Sequence, residues 1–495
     1  MYSKRSFEKV RSQAELGNEG RRDAGATISV PHDIWGRIPL LAWILNLAYL
    51  VVISLVIPYR FLIQRKTVAG WREKLLGQVP RRATHGRCLW LHAVSVGEVV
   101  QLQPVIQALS HSDPDLELVI STTTPTGFDV ARTRYPGRQV FYFPLDFSWA
   151  VNAALARTNP SAIALVELEL WPNFIFAAAK RGIPLALVNG RISERSCRGY
   201  RRIRPLIRAL LSKIDVLAVQ SETYATRLAA LGADRARIHV TGSIKFDGVE
   251  TDRANPRTAE LRRQFGLEQN QTVFIAGSTQ DPEERLAIES YLQLRTKFQD
   301  LRLILVPRHK ERFDEVARLV EEEFKLPLIR RSALSDKIRG DHFFSNRWPP
   351  PARQIDKTLT PAVLLLDTLG ELSACWGLAT IAFVGGSLTS RGGQNMIEPA
   401  GYGAAVLFGP NTWNFKDVVE LLLRQEAALV VHSGEELTAR LDELLTDREK
   451  AVRFGDRARS LVTAQRGATM CTVDLLKRIL PDTGHDEFNR RNRAA

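Results

Sequence analysis

The chain has 495 residues, 45% hydrophobic and 25% charged, a composition that excludes a fibre and confines disorder to the ends. At ~100–200 residues per domain, the length asks for two domains plus extras. Lys and Arg exceed Asp and Glu by 68 − 54 = +14, which favours an anionic partner, and the four cysteines, Cys88, Cys197, Cys375 and Cys471, form no CxxC pair, so neither a disulfide framework nor a zinc site is suggested.

In chain order, residues 1–34 form a polar extension. The apolar run from Ile38 to Ile57, "IPLLAWILNLAYLVVISLVI", has about the ~20 residues that cross a bilayer, with only Asn46 and Ser54 mildly polar. It reads as a membrane anchor over 35–62, since it starts late and is long for the apolar core of a cleaved signal peptide. Arg60, Arg65, Lys66, Arg72 and Lys74 follow it, and the positive-inside bias puts the large C-terminal body in the cytoplasm. Basic residues within 1–34 weaken that orientation and leave a flat-lying interfacial helix as the alternative.

Beyond the anchor, the strand patterns "CLWLHAVS", "LELVIST", "QVFYFPL", "AIALVEL", "PLALVN" and "VLAVQ" alternate with amphipathic segments, the signature of βαβ units in a parallel sheet. This series defines a first α/β domain over 63–246. The polar stretch 247–260, "DGVETDRANPRTAE", reads as a linker. A second series, "TVFIAGS", "LRLILVP", "PAVLLLD", "TIAFVGG" and "AAVLFG", defines a second α/β domain over 261–480, and 481–495 reads as a frayed tail. The proline-rich stretch 332–359 reads as a surface insertion. The expected fold is therefore α/β, two doubly wound Rossmann-like domains facing a cleft, with ligands beyond the carboxyl ends of the strands.

No Walker A loop, GxGxxG fingerprint, HExxH helix or GxSxG elbow is present. What remains is a set of polar residues at strand ends. In "HAVSVGEVV", Gly97 permits a tight turn and Glu98 occupies the first turn of the next helix, where the dipole alone favours a carboxylate. In "VELELWPN", Glu167 and Glu169 share one face under strand periodicity, and a carboxylate there needs a partner such as Arg191 or Arg195. An internal ion pair and an active-site carboxylate fit that pattern equally. The run Arg191, Arg195, Arg198, Arg201, Arg202, Arg204 and Arg208 reads either as a solvated face or as a grip on lipid phosphates. Lys245 in "GSIKFD" ends a strand just before the linker. In "LVPRHKERF", Arg308 can neutralise a phosphate, and His309 fits a structural hydrogen bond better than catalysis. The glycine-rich stretch "FVGGSLTSRGGQNMIEPA" leads into a helix start at Asn395–Glu398, which suits an anion, with Glu398 placed to accept from a ribose diol.

Nine ordered blocks, "HAVSVGE", "STTTPTGFDVA", "ELELWPNFI", "GRISERSCRGY", "VTGSIKFD", "LVPRHKERF", "DTLGEL", "FVGGSLTSRGGQNMIEPA" and "GPNTWNFKDV", give the chain a close resemblance to the 3-deoxy-D-manno-octulosonic acid (Kdo) transferases of lipopolysaccharide biosynthesis. The resemblance implies a GT-B glycosyltransferase with an N-terminal membrane-associating segment. It implies transfer of Kdo from CMP-Kdo to a hydroxyl of a lipid A precursor (lipid IVA) at the cytoplasmic face of the inner membrane, with inversion, no metal and no cofactor beyond the donor. The implied partners are CMP-Kdo, the anionic lipid and the membrane, and not nucleic acid. Carried over by position, Glu98 matches the general base, and Glu167 and Lys245 match residues that stabilise the transition state. CMP binding maps to Pro307 and Arg308, to Leu369, Gly370 and Glu371, and to Asn395, Met396, Ile397 and Glu398. Gln394 stands where many members carry His, and the 1–34 extension and the insertion near Pro349 are also unusual. As a base, Glu98 has to open to the cleft rather than sit in a salt bridge. The competing readings are a nucleotide-sugar epimerase of related architecture and a non-catalytic basic scaffold for lipid or nucleic acid, which predicts salt-sensitive binding without CMP release.

Overall fold

The computed structural model describes residues 42–43, 45–47, 49–51, 69–84, 86–334 and 362–481. Most of the expected anchor at 35–62, all of the extension at 1–34, most of the insertion at 332–359 and nearly all of the tail at 481–495 lie outside the described residues. Among the described residues, no helix is long and apolar enough to cross a membrane.

The first sheet contains β1 (Cys88–His92), β2 (Glu117–Thr122), β3 (Gln139–Tyr142), β4 (Ala162–Val166), β5 (Leu185–Gly190), β6 (Val216–Val219) and β7 (Ile238–Val240). The second contains β8 (Thr272–Thr279), β9 (Leu301–Pro307), β10 (Leu328–Arg330), β11 (Val363–Leu365), β12 (Ile381–Val384), β13 (Ala405–Phe408) and β14 (Ala428–Val430). Each is seven-stranded, ordered β3-β2-β1-β4-β5-β6-β7 and β10-β11-β9-β8-β12-β13-β14. Every pairing is parallel.

Parallel strands covered on both faces need apolar residues at every position, which is why the strand patterns are continuous rather than alternating. In β1 all five residues are buried. Cys88 and Trp90 enter one core while Leu89 and Leu91 enter the core on the opposite face, as a period of two requires. Strand order reverses between β1 and β4 in the first sheet and between β8 and β12 in the second. A crevice opens at each reversal, beyond the carboxyl ends of the strands.

Two expected boundaries shift. The last residues of the 247–260 linker already belong to a helix, Pro256–Gln264, whose start is set by Asn255 as cap, accepting from Thr258 N at 3.0 Å, and by Pro256 at the first helical position. More importantly, the final helix, Ala468–Ile479, does not complete the second domain. Its Val473 and Leu476 pack with Leu89, Leu91 and Val188 in the core of the first. The chain therefore crosses between the domains twice, and the crossings are tied together. The Asp247 carboxylate accepts from Gly467 N and Thr469 N, and Arg466 donates to Val249 O.

Because Leu476 is fully buried in the first domain's core, Leu476→Ala is expected to cost about 2–5 kcal/mol. Urea unfolding followed by tryptophan emission should report it as a lower unfolding midpoint.

Candidate active site

At the first reversal, β1 ends at His92 and the chain turns through Ala93 and Val94 into the short helix Val96–Gln101. Thr122 and Thr123, at the end of β2, pin that turn by donating to Val94 O at 3.0 and 3.1 Å. Ser95 caps the helix, and Glu98, three residues on, reaches back. One Glu98 oxygen accepts from Ser95 Oγ at 2.7 Å and the other from Val94 N at 2.8 Å. This is a capping box, with the carboxylate taking an amide one residue earlier than usual. Glu98 forms no salt bridge among the described residues, and only 8% of it is exposed. Burial pushes its carboxyl above the ordinary value, against the bonds from Ser95 and Val94. Gly97 lies within the helix, and a Cβ there would meet only ordinary contacts, the nearer at 3.8 Å. The expected tight turn at Gly97 is therefore not what the position requires.

Beyond β4, Glu167 adopts φ +61°, a left-handed conformation that a glutamate holds only when its surroundings enforce it. The strand has ended at Val166, so the shared face expected for Glu167 and Glu169 does not form. Glu167 instead accepts from Arg191 Nε at 2.8 Å. Burial alone would lower the Arg191 guanidinium, but Glu167 and then Asp417 more than reverse it. Burial, then the Glu98 charge, then Glu167 push the Glu169 carboxyl up to about 7.

Lys245 follows β7 in a turn held by Asn189, whose side chain accepts from Ile244 N at 3.3 Å and donates to Gln101 Oε1 at 3.0 Å. Burial and then Arg191 lower the Lys245 ammonium, while Glu167, Asp417 and Glu98 oppose them. Glu98, Glu167, Arg191 and Lys245 thus form one electrostatic cluster at the carboxyl edge of the first sheet. The second domain reaches this cluster through Phe415, whose ring centre lies 6.0 Å from Lys245 Nζ, and through Asp417.

At the second reversal, Glu283 organises the crevice. Its buried carboxylate accepts from Gln280 N (3.0 Å), Gly386 N (2.7 Å), Ser387 N (3.0 Å) and Leu388 N (2.9 Å). That ties the glycine-rich loop after β12 to the end of β8. Gly385 is required there, because a Cβ would lie 2.5 Å from Thr279 Cα and 2.7 Å from Ser278 O. Sequence reading missed Glu283, since nothing in "QDPEE" separates it from Glu284.

The other expected residues stand at the carboxyl edge of the second sheet. Pro307 ends β9, and Arg308 N donates to Thr279 O at 3.0 Å. Leu369 is 71% exposed, and Gly370 turns with φ +85°. Glu371 accepts from Thr368 and from Arg331 Nη2, the latter at 2.9 Å. Asn395 donates to Glu398 Oε1 at 3.0 Å and accepts from Ile397 N at 3.1 Å. Burial raises the Glu398 carboxyl, opposed by the Asn395 bond and then by Arg308. Met396 and Ile397 are core residues, so only their backbone is available to a ligand. Among the described residues, no group of three or more His, Cys, Asp and Glu side chains converges as a metal site would require.

Residues 69–248 match the family model described as 3-deoxy-D-manno-octulosonic-acid transferase (kdotransferase). Over 392 residues, 79% of this chain and 86% of the relative, the sequence is 33% identical to the 3-deoxy-D-manno-octulosonic acid transferase of Haemophilus influenzae. The chain belongs to the 3-deoxy-D-manno-octulosonic acid transferase family. The Bordetella pertussis 3-deoxy-D-manno-octulosonic acid transferase is also 33% identical, over 79% of this chain and 86% of its own length. Membership makes this Kdo transferase family protein a glycosyltransferase. A UDP-GlcNAc 2-epimerase from Neisseria meningitidis, solved with UDP-GlcNAc bound, aligns with TM-score 0.50 and 12% identity over 79% of this chain and all of its own. That likeness shows the shared two-domain architecture and lends nothing to the epimerase reading.

Two measurements probe these carboxylates. Replacing Glu283 by Gln turns one acceptor into a donor facing backbone N–H groups. It is expected to cost about 1–3 kcal/mol and to speed hydrogen exchange at Gly386, Ser387 and Leu388. Glu169, with its folded value raised to about 7, contributes stability that is complete below the ordinary carboxylate range and is lost as pH rises through that value. The Tm of Glu169→Gln should therefore gain on the parent between about pH 5 and about pH 8; a constant offset would show that Glu169 titrates normally.

Proposed function

We propose that this glycosyltransferase moves Kdo from CMP-Kdo to a hydroxyl of a lipid A precursor, lipid IVA, with inversion at the anomeric carbon and without a metal. The observation that carries the reading is the cluster of Glu98, Glu167, Arg191 and Lys245 at the first sheet's reversal, in a chain of this family. Glu98 accepts the acceptor's proton as the acceptor oxygen bonds to the anomeric carbon. The bond from that carbon to the CMP phosphate oxygen breaks, and CMP leaves with the electron pair. A carboxylate raised by burial is a stronger base than one in water, and its hydrogen bonds aim it without neutralising it. Lys245 and Arg308 are the cations available to the developing charge, and the buried carboxylate of Glu398 suits a ribose diol.

For location we propose the cytoplasmic face of the inner membrane, held by the apolar run Ile38–Ile57 with its basic flank. The helix Glu194–Arg201 supports contact with an anionic lipid surface. It buries only Cys197, leaves Arg198 and Arg201 exposed, and is followed by exposed Arg202 and by Ile203, 48% exposed.

Glu98→Ala should still bind CMP yet lose turnover, and full activity in that variant would refute the base assignment. Because Glu98 is raised, the acid limb of the kcat/KM profile should lie above ~4.3, the value of a free glutamate. Replacing Arg198, Arg201 and Arg202 by Ala should raise the acceptor KM more than the donor KM. Mass spectrometry of the product from CMP-Kdo and a tetraacylated precursor tests the reaction itself, and EDTA should leave the rate unchanged.

A further inference from the structure

Between the domains lies a cavity of about 470 Å³ that none of the residues matched to the nucleotide lines. A second, of about 480 Å³, shares Arg191, Tyr224, Arg227, Lys416, Asp417 and Glu420 with it, so the two form one trough. The trough runs from Lys245 to Ser193, Glu194 and Tyr200, beside the arginine-rich helix.

Its chemistry is that of an anion site. Seven charged side chains line the first cavity, five of them cations; Glu420 pairs with Arg424 and Arg191 with Glu167, which leaves Arg227, Lys245 and Lys416 against the single carboxylate of Asp417. Arg227 donates to Ile192 O at 2.8 Å, and neither it nor Lys416 pairs with a carboxylate among the described residues. Two helix starts, one from each domain, open on the space: Glu222–Leu231 and Lys416–Arg424, neither capped by a side chain. Independently of these, Ser243 lines the cavity with its Oγ buried and unpartnered, the residue being only 7% exposed. A buried hydroxyl without a partner marks a place where a polar ligand completes the bonding.

We propose that this interdomain trough binds a phosphomonoester of the acceptor, through Arg227 and Lys416, so that acceptor recognition needs both domains. The proposal rests on the transfer reaction given above. It separates two jobs: the exposed arginines meet the lipid surface, while Arg227 and Lys416 hold one phosphate near Lys245 and Glu98.

Full-length protein is assayed with CMP-Kdo and the tetraacylated precursor, either phosphorylated or with its phosphates removed. Lys416→Ala and Arg227→Gln should each raise the KM for the phosphorylated acceptor about tenfold. The donor KM should hold in both, the thermal midpoint should hold in Lys416→Ala, and Lys416→Arg should recover most of the loss. With the dephosphorylated acceptor the penalty should vanish; an equal penalty there, or an unchanged KM with the phosphorylated acceptor, overturns the proposal. Inorganic phosphate should compete with the acceptor in the parent and lose that competition in Lys416→Ala; equal competition in both counts against the site. If the parent transfers no Kdo, the reaction assignment fails. Calorimetric titration with phosphate then reads the trough alone, with binding to the parent and loss in Lys416→Ala in its favour, and no difference against it.

Discussion

A parallel strand covered on both faces leaves only its carboxyl end for polar chemistry, and each of the two sheets obeys that constraint. Where strand order reverses, neighbouring helices part, and the backbone around the crevice has to be satisfied locally. In the second domain one buried carboxylate does this. Glu283 gathers four backbone amides and thereby fixes the path of the glycine-rich loop. In the first domain the equivalent crevice is closed by Ser95, Thr122 and Thr123 around Val94, with Glu98 completing the cap.

Glu98 shows why structural and chemical roles need not exclude each other. A capping carboxylate must be ionised to accept two donors, and burial makes that ionised form more basic. The bonds to Val94 and Ser95 each leave a further lone pair on the oxygen they use. The bond to Val94 orients the group, while the Ser95 hydroxyl can rotate. Glu167 contributes differently. Its left-handed backbone turns the chain out of the sheet and delivers the carboxylate to Arg191.

Much of this was legible in the sequence because continuous apolar runs specify buried parallel strands, and all of the longer ones form. Of the four described three-residue strands, β11 stood out because it lies in the longer apolar run "PAVLLLD", whereas β7, β10 and β14 were not singled out. Glu98, Glu167 and Lys245 stood out one by one at strand ends, with Arg191 or Arg195 as the partner for Glu167; that Arg191 is the one, and that all four gather, took the structure. The left-handed turn was not legible, since period-two reasoning assumes that the strand continues. Asn189 had a signal, an Asn-Gly pair ending a strand, because asparagine tolerates the left-handed region. Glu283 had none: its role depends on a loop more than a hundred residues away. The cation-lined trough was equally hidden, as its two walls come from separate domains.

The placement of the final helix bears on how the protein is made. Ala468–Ile479 supplies Val473 and Leu476 to a core whose other residues are synthesised far earlier. At roughly 5–20 residues per second, the part of the first sheet's face over β5 and β6, which the helices of residues 96–134 leave to the final helix, stays uncovered for tens of seconds. There Ala186, Val188, Val216 and Ala218 spend the interval as exposed apolar surface, the kind that chaperones hold. The first domain to leave the ribosome is therefore completed only after the second domain has been made and residues 468–479 have followed it.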